Sequence, residues 1–310
     1  MPKLRLSRIV PLIVACALFM EQLDGSIIAT ALPAIARDLR TDPLHLNLAI
    51  TSYMFSLAVF IPLSGWIADR FGTRTVFRAA IVVFTLGSVL CGVSQDLWQL
   101  IAARILQGAG GAMMVPVGRL AMLRTVPRRE LVNAMTWLTT PALIGPVLGP
   151  PLGGFIVTYA SWRWIFYVNV PIGLLGIVLA TVFIEDMRGE KREPLDWRGF
   201  LLMGLALSGL VFSFETVGRR LVAGDVVGAL FAGGALCVGL YLVHMRNHDH
   251  PIVDLRLVRF QTYRISLASG MLFRVGIGAL PFLLPMMLQV GFGLSAATSG
   301  LITFGSALGA

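Results

Sequence analysis

The sequence predicts an all-α polytopic membrane protein, with about nine complete transmembrane helices and part of a tenth. Composition is the first ground. Of 310 residues 56% are apolar and 13% charged, and mean hydropathy is +0.81, whereas soluble domains carry ~25% charged residues. The second ground is run length. Apolar stretches of ~20 residues recur, the length that crosses a ~30 Å hydrocarbon core at ~1.5 Å per residue. The third is where the basic residues fall. A cytosolic globular enzyme, a disordered chain and a nucleic-acid-binding domain are excluded, and the bilayer is the first partner implied.

The apolar runs cover about 9–33, 45–67, 76–94, 97–120, 131–157, 164–184, 199–217, 224–243 and 265–290. A tenth begins near 296 and the chain stops inside it at Ala310, so the sequence reads as a piece of a longer protein. Gly and Pro, 33 and 16 in number, are scattered through these runs, as is common in transmembrane helices. With a cytoplasmic N-terminus, seventeen Lys and Arg fall on the cytoplasmic side and five on the other, while Arg104, Arg119 and Arg274 lie within spans. The positive-inside rule selects that orientation. It also accounts for the net charge of +9 without nucleic acid.

Lys3, Arg5 and Arg8 before an apolar run resemble a signal peptide, and Ile13-Val14-Ala15-Cys16 resembles a lipoprotein cleavage box. The run continues through Glu21 and Asp24 to Pro33, so it reads as a retained first span. Cys16, Cys91 and Cys237 all lie in apolar runs, which is neither a disulfide framework nor a thiolate metal site.

Between spans two and three the chain reads Gly65-Trp66-Ile67-Ala68-Asp69-Arg70-Phe71-Gly72-Thr73-Arg74, a tight cytoplasmic turn. Gly65 and Gly72 are expected to allow close helix approach and unusual backbone angles. Asp69 is expected to meet a helix N-terminus or a neighbouring Arg. Span four carries Arg104-Ile105-Leu106-Gln107-Gly108-Ala109-Gly110-Gly111. Its small residues favour close helix packing over a phosphate loop. In span five, Gly145, Gly149 and Gly153 fall on one helical stripe beside Pro146, Pro150 and Gly154, and the span is expected to bend and pack tightly.

Together these stretches resemble the major facilitator superfamily. The turn resembles its signature loop G-x-L-A-D-R-x-G-x-K/R, and Arg104 to Gly111 its R-x-x-Q-G-x-G-x motif. Gly145 to Gly154 resembles the antiporter motif, with Thr136 at the further upstream glycine. Leu23-Asp24-Gly25-Ser26-Ile27-Ile28-Ala29-Thr30-Ala31-Leu32-Pro33 resembles an element of the fourteen-span drug:proton antiporter branch, with Ala29 in place of Asn. Trp162 to Gly173 is also similar to that branch.

The resemblance implies a six-helix half over 1–184, a cytoplasmic loop over 185–198, two inserted helices over 199–243, a second loop over 244–264, and the start of a C-terminal half over 265–310. It implies a bacterial inner-membrane exporter of hydrophobic or cationic small molecules that exchanges them for protons, with no cofactor. Accessory efflux proteins are not specified. The rival is a uniporter or symporter of the same fold that imports a nutrient; a receptor or scaffold that does not transport is the alternative of another class.

Ionisable groups inside a span cost ~2.5–3.5 kcal/mol on insertion scales and mark function. Asp24 is nine residues from Pro33, ~13 Å from the outer end of its span, and Arg104 is seven residues from Leu97, ~10 Å from the same side. The depths match, so the two are expected to pair. Desolvation and a nearby Arg act on a carboxyl group in opposite senses, which suits proton coupling, an assignment extended to Glu21, three residues away on the same face. A static ion pair joining spans one and four is the bland alternative. Gly65, Asp69, Arg70, Gly72 and Arg74 are assigned to conformational gating. Gly145, Gly149, Pro150, Gly153 and Gly154 are assigned to helix packing, which the family links to antiport. Gln107 and Arg274 are candidate substrate or coupling contacts.

His244 and His248 have the one-turn spacing of a metal pair, but the polar loop beside them reads as a solvated linker and no metal is expected. Hydrolase and nucleotide-binding motifs do not occur in the sequence. With most of a second half beyond Ala310, the faces of spans one and four are expected to lack a complete partner. Asp24, Glu21 and Arg104 would then face lipid or a water defect, and residues 1–310 alone would insert without transporting.

Overall fold

The computed structural model describes residues 2–189, 194–217, 223–278 and 280–308, with no side chains for residues 2–8, 215, 274–282 or 306–308 and a few others. The described residues are overwhelmingly helical. In chain order the helices are α1 (Pro2–Asp38), α2 (Pro43–Phe60), α3 (Leu63–Phe71), α4 (Thr73–Val93), α5 (Leu97–Thr125), α6 (Leu131–Tyr159), α7 (Trp164–Tyr167), α8 (Asn169–Phe183), α9 (Trp197–Thr216), α10 (Gly224–Arg246), α11 (Gln261–Gly278), α12 (Leu280–Met286) and α13 (Ala296–Leu308). Among them seven segments are long and apolar enough to cross a membrane, or eight if α2 and α3 form one span. The protein is a polytopic membrane protein.

Two expected spans are broken. The second bends by 57° between α2 and α3, because Pro62 supplies no amide hydrogen to continue the ladder. The Ser64 hydroxyl donates to the Ile61 carbonyl at 2.6 Å beside the break. The ninth divides into α11, α12 and a π turn at Met287–Gly291. Pro285 withdraws one amide from α12, and the Phe292 amide then reaches back five residues to the Met287 carbonyl at 3.1 Å. Conversely, α6 continues as one helix through Pro141, Pro146, Pro150 and Pro151.

The core lies in two apolar clusters stacked along α1. One holds Val10, Val14, Met20, Phe77, Phe84, Met114, Met122 and Ile184. The other holds Ile28, Leu32, Ile35, Leu46, Leu100, Trp162 and Phe166. On α1, Asp24 sits between Met20 of the first and Ile27 of the second; on α5, Arg104 sits between Leu100 and Met114. A polar layer therefore divides the two apolar ones.

The glycine stripe of α6 packs on α1. An added Cβ would meet Gln22 Cβ at 2.9 Å from Gly145, the Ser26 side chain from Gly149, and Ile27 Cγ1 at 2.8 Å and the Thr30 hydroxyl from Gly153. Gly154 faces the other way, where a Cβ would meet the Ala296 carbonyl and Ala297 Cα of α13. The Thr158 hydroxyl accepts from the Ala297 amide at 3.1 Å. In α5 the same device works against α2: at Gly108 a Cβ would lie 2.7 Å from Ser56 Cβ and from the Tyr53 carbonyl. The Ser56 hydroxyl donates across that contact to the Ile105 carbonyl at 2.7 Å.

Candidate functional site

Asp24 and Arg104 meet as their depths require. Arg104 Nη1 donates to Asp24 Oδ2 at 2.5 Å, and both side chains are fully buried. The pair does not face lipid or a water defect, contrary to the expectation that it needs a second half to cover it. The reason is that α2, α5 and α8 pack around the pair at this level, with 1% of Asp24 and 0% of Arg104 exposed.

Asp24 has two further donors. Gln107 Nε2 donates to Oδ1 at 2.8 Å and Asn169 Nδ2 at 3.0 Å. Arg104 Nη1 also reaches Gln107 Oε1 at 2.7 Å, and Nε reaches the Ala49 carbonyl at 3.3 Å. Asn169 Nδ2 donates to Ser88 Oγ at 2.9 Å, and that hydroxyl donates to the Phe166 carbonyl at 2.9 Å. The guanidinium lies 4.3 Å from the centre of the Tyr53 ring, a cation–π distance. Removing two charges from water is tolerable only when geometry and hydrogen bonds satisfy both, and this network supplies them. Two buried atoms beside it, Arg104 Nη2 and Tyr53 Oη, have no hydrogen-bond partner among the described residues.

Glu21 stands apart from the network. Its Oε2 is buried without a hydrogen-bond partner among the described residues, and the charges that act on it are Asp24 and Arg119.

The turn between α3 and α4 is held from two sides. Asp69 Oδ1 accepts from Arg124 Nη2 at 2.6 Å, so the expected Arg partner comes from α5. Residues 185–189 then fold over the turn: the Thr73 amide donates to the Met187 carbonyl at 2.9 Å and the Gly189 amide to the Asp69 carbonyl at 3.0 Å. Gly72 has φ +97°, and a Cβ there would collide with the Asp186 carboxylate. The expectation for Gly65 is not met. A Cβ there would meet nothing within 4 Å, because Gly65 lines an open cleft with Pro62, Arg70 and Arg124. Arg74 is half-buried.

The family model described as Major Facilitator Superfamily matches residues 14–310. The chain belongs to the major facilitator superfamily. Over 297 residues, 96% of the chain, it is 43% identical to the protein named "Putative multidrug resistance protein MdtD" in Salmonella heidelberg, of which it covers 63%. Over 288 residues it is 44% identical to "Probable transport protein HsrA" of Haemophilus influenzae, of which it covers 62%. The chain thus spans less than two thirds of the length of these relatives. The crystal structure of a D-xylose-proton symporter is similar in fold, with a TM-score of 0.63 at 14% identity, over 97% of this chain and 65% of that one.

Within this superfamily fold, the Trp162-Arg163 element has a visible task. Trp162 Nε1 and Arg163 Nη1 both donate to Asp38 Oδ2, at 2.9 and 2.6 Å, and Arg163 Nη2 donates to the Ser94 carbonyl at 3.2 Å. The carboxylate so ties the end of α1 to the α6–α7 connection, and Arg163 carries the tie on to the α4–α5 connection. The Arg274 side chain lies outside the described residues. Asn169 and Ser88 are site residues that the sequence reading did not assign. Asn169 left one signal, an amide within a span of hydropathy 2.1; Ser88 left none, since serines are ordinary in such helices.

One cluster joins residues far apart in sequence. His244 Nε2 lies 2.7 Å from Asp196 Oδ1, and the His244 and His248 rings are 5.0 Å apart. Asp196 caps α9 by accepting from the Gly199 amide at 2.9 Å and also accepts from the Ile252 amide at 3.3 Å. Burial pushes this carboxyl up, but the donors from Gly199, His244 and Ile252 outweigh it and hold the group below its ordinary value.

Proposed function

We propose that the protein is a proton-coupled exporter of hydrophobic or cationic small molecules in the bacterial inner membrane, with its N-terminus in the cytoplasm. The observation that carries the reading is the buried Asp24–Arg104 pair with Gln107 and Asn169 as its remaining donors. It sits in a polar layer between two apolar ones, within an antiporter-like element. The relatives named for multidrug resistance and transport support it.

The chemistry follows from the donor set. An ionised carboxylate only accepts, and here three side chains donate to it. A protonated carboxyl must also donate, so one neighbour has to offer an oxygen. Primary amides present either a donor or an acceptor after a half-turn of the terminal group. Gln107 and Asn169 therefore accommodate both protonation states without moving a helix, while Arg104 serves the ionised state alone. In the cycle, rocking of one half against the other about a site near mid-membrane exchanges the proton as Arg104 separates from Asp24. The Asp69–Arg124 pair and the strap over 185–189 latch the cytoplasmic turn in one of the two states. Gly65, in the cleft wall, leaves room for that turn to move.

The test uses vesicles carrying the protein from its whole gene, with drug-driven proton movement and substrate binding both measured. Asp24→Asn keeps the shape and removes the titration, and it is expected to abolish proton movement; unchanged flux overturns the reading. Asp69→Asn is expected to slow transport several-fold with affinity kept within a few-fold. A large affinity loss at normal turnover contradicts the gating role.

A further inference from the structure

His244 lies in the last turn of α10 and His248 two residues beyond its end, and Asp196 caps the start of α9 from 48 residues away. One ligand atom from each lies within 4.8 Å of the others. We propose that Asp196, His244 and His248 bind one divalent transition-metal ion of the zinc class, joining the first turn of α9 to the last turn of α10. The site does not depend on the transport reading.

The donor chemistry selects the ion. Two imidazole nitrogens and a carboxylate oxygen suit zinc and its neighbours, with water as a fourth ligand, and do not suit calcium or magnesium, which take mostly oxygen. Geometry asks for little movement. A tetrahedral ion with bonds of about 2.0 Å sets its ligand atoms about 3.3 Å apart. The 2.7 Å contact between His244 and Asp196 therefore opens by about half an ångström as the metal bonds replace it. His248 gives up a second bond, the 3.2 Å contact its Nδ1 accepts from the His250 amide. That contact is exposed and spans two residues, so its loss is small.

The carboxylate is already aimed. The Gly199 and Ile252 amides hold it, as outer hydrogen bonds commonly orient metal ligands. A route from solvent exists, since Asp196 and His250 line a cytoplasmic cleft of about 710 Å³ whose wall also carries Asp249 and Asp254.

The test uses tag-free protein expressed from its whole gene, stripped with a chelator and titrated with Co²⁺ and Zn²⁺. One ion per chain is expected to bind saturably. The cobalt form should absorb with the intensity of a four-coordinate centre, and zinc should raise the unfolding temperature. His244→Gln and His248→Gln should each weaken binding at least tenfold, His248→Cys should restore it, and His250→Gln should stay within threefold of the parent. Absence of saturable binding by the parent overturns the site, whatever the variants do. Binding that survives His248→Gln, or that falls as far with His250→Gln, overturns the assignment.

Discussion

Asp24 Oδ1 and Asn169 Nδ2 are 3.0 Å apart, and Asn169 also serves Ser88. That amide joins α8 to α1 and α4, and its removal takes one hydrogen bond from each of two buried acceptors, which keep only Gln107 Nε2 as side-chain donor to those atoms. Asn169→Ala is expected to destabilise the protein by about 1.5–3 kcal/mol, the range for a lost hydrogen bond to a charged group. Thermal unfolding in detergent measures it, and an unfolding temperature equal to the parent's shows that the contact carries no weight. Residue by residue, the site was legible where depth alone settles a partner. Asp24 and Arg104 could be matched by counting from the ends of their spans. Asn169 and Ser88 could not, because depth says nothing of which way around a helix a side chain points.

Between α1 and α6 the packing depends on missing side chains. Ser26 occupies the place that a Cβ on Gly149 would take, and its hydroxyl donates to the Gly145 carbonyl at 3.3 Å. Gly149→Ala therefore overpacks the contact and is expected to destabilise by about 1–3 kcal/mol. Ser26→Gly should recover part of that loss by vacating the space. Equal effects with and without Ser26→Gly, read by thermal unfolding, would place the strain elsewhere. The glycine spacing announced such a stripe. It did not announce that Gly154 faces α13, because one stripe of small residues is blind to what lies behind it. The breaks at Pro62 and Pro285 were visible as prolines, but proline alone does not distinguish a break from the unbroken course of α6 through four of them.

For the whole molecule the testable property is its sidedness in the membrane. The positive-inside rule sets the α5–α6 connection in the cytoplasm and the α4–α5 connection outside. In a protein lacking Cys16, Cys91 and Cys237, a cysteine at Gln95 is expected to react with an impermeant maleimide in intact cells with an opened outer membrane. One at Arg129, whose side chain is 86% exposed, should react only after the inner membrane is breached. The opposite pattern reverses the orientation and with it the direction of transport. The order of the apolar runs was readable from length and hydropathy, but their number was not: nine complete spans were expected, and among the described residues seven segments qualify, or eight with α2 and α3 as one. The junction of Asp196 with His244 was not, because two helices and a connection separate them in the chain.

The separation of Asp24 from its partners has a consequence during biosynthesis. Arg104 follows it by 80 residues and Asn169 by 145. At roughly 5–20 residues per second, the ribosome needs about 4–16 s to deliver the arginine and about 7–29 s to deliver the amide. For that interval the first span carries a carboxyl group without its final partners, at about 2.5–3.5 kcal/mol on insertion scales. α1 therefore reaches its final packing around Asp24 only once α5 and α8 have been made.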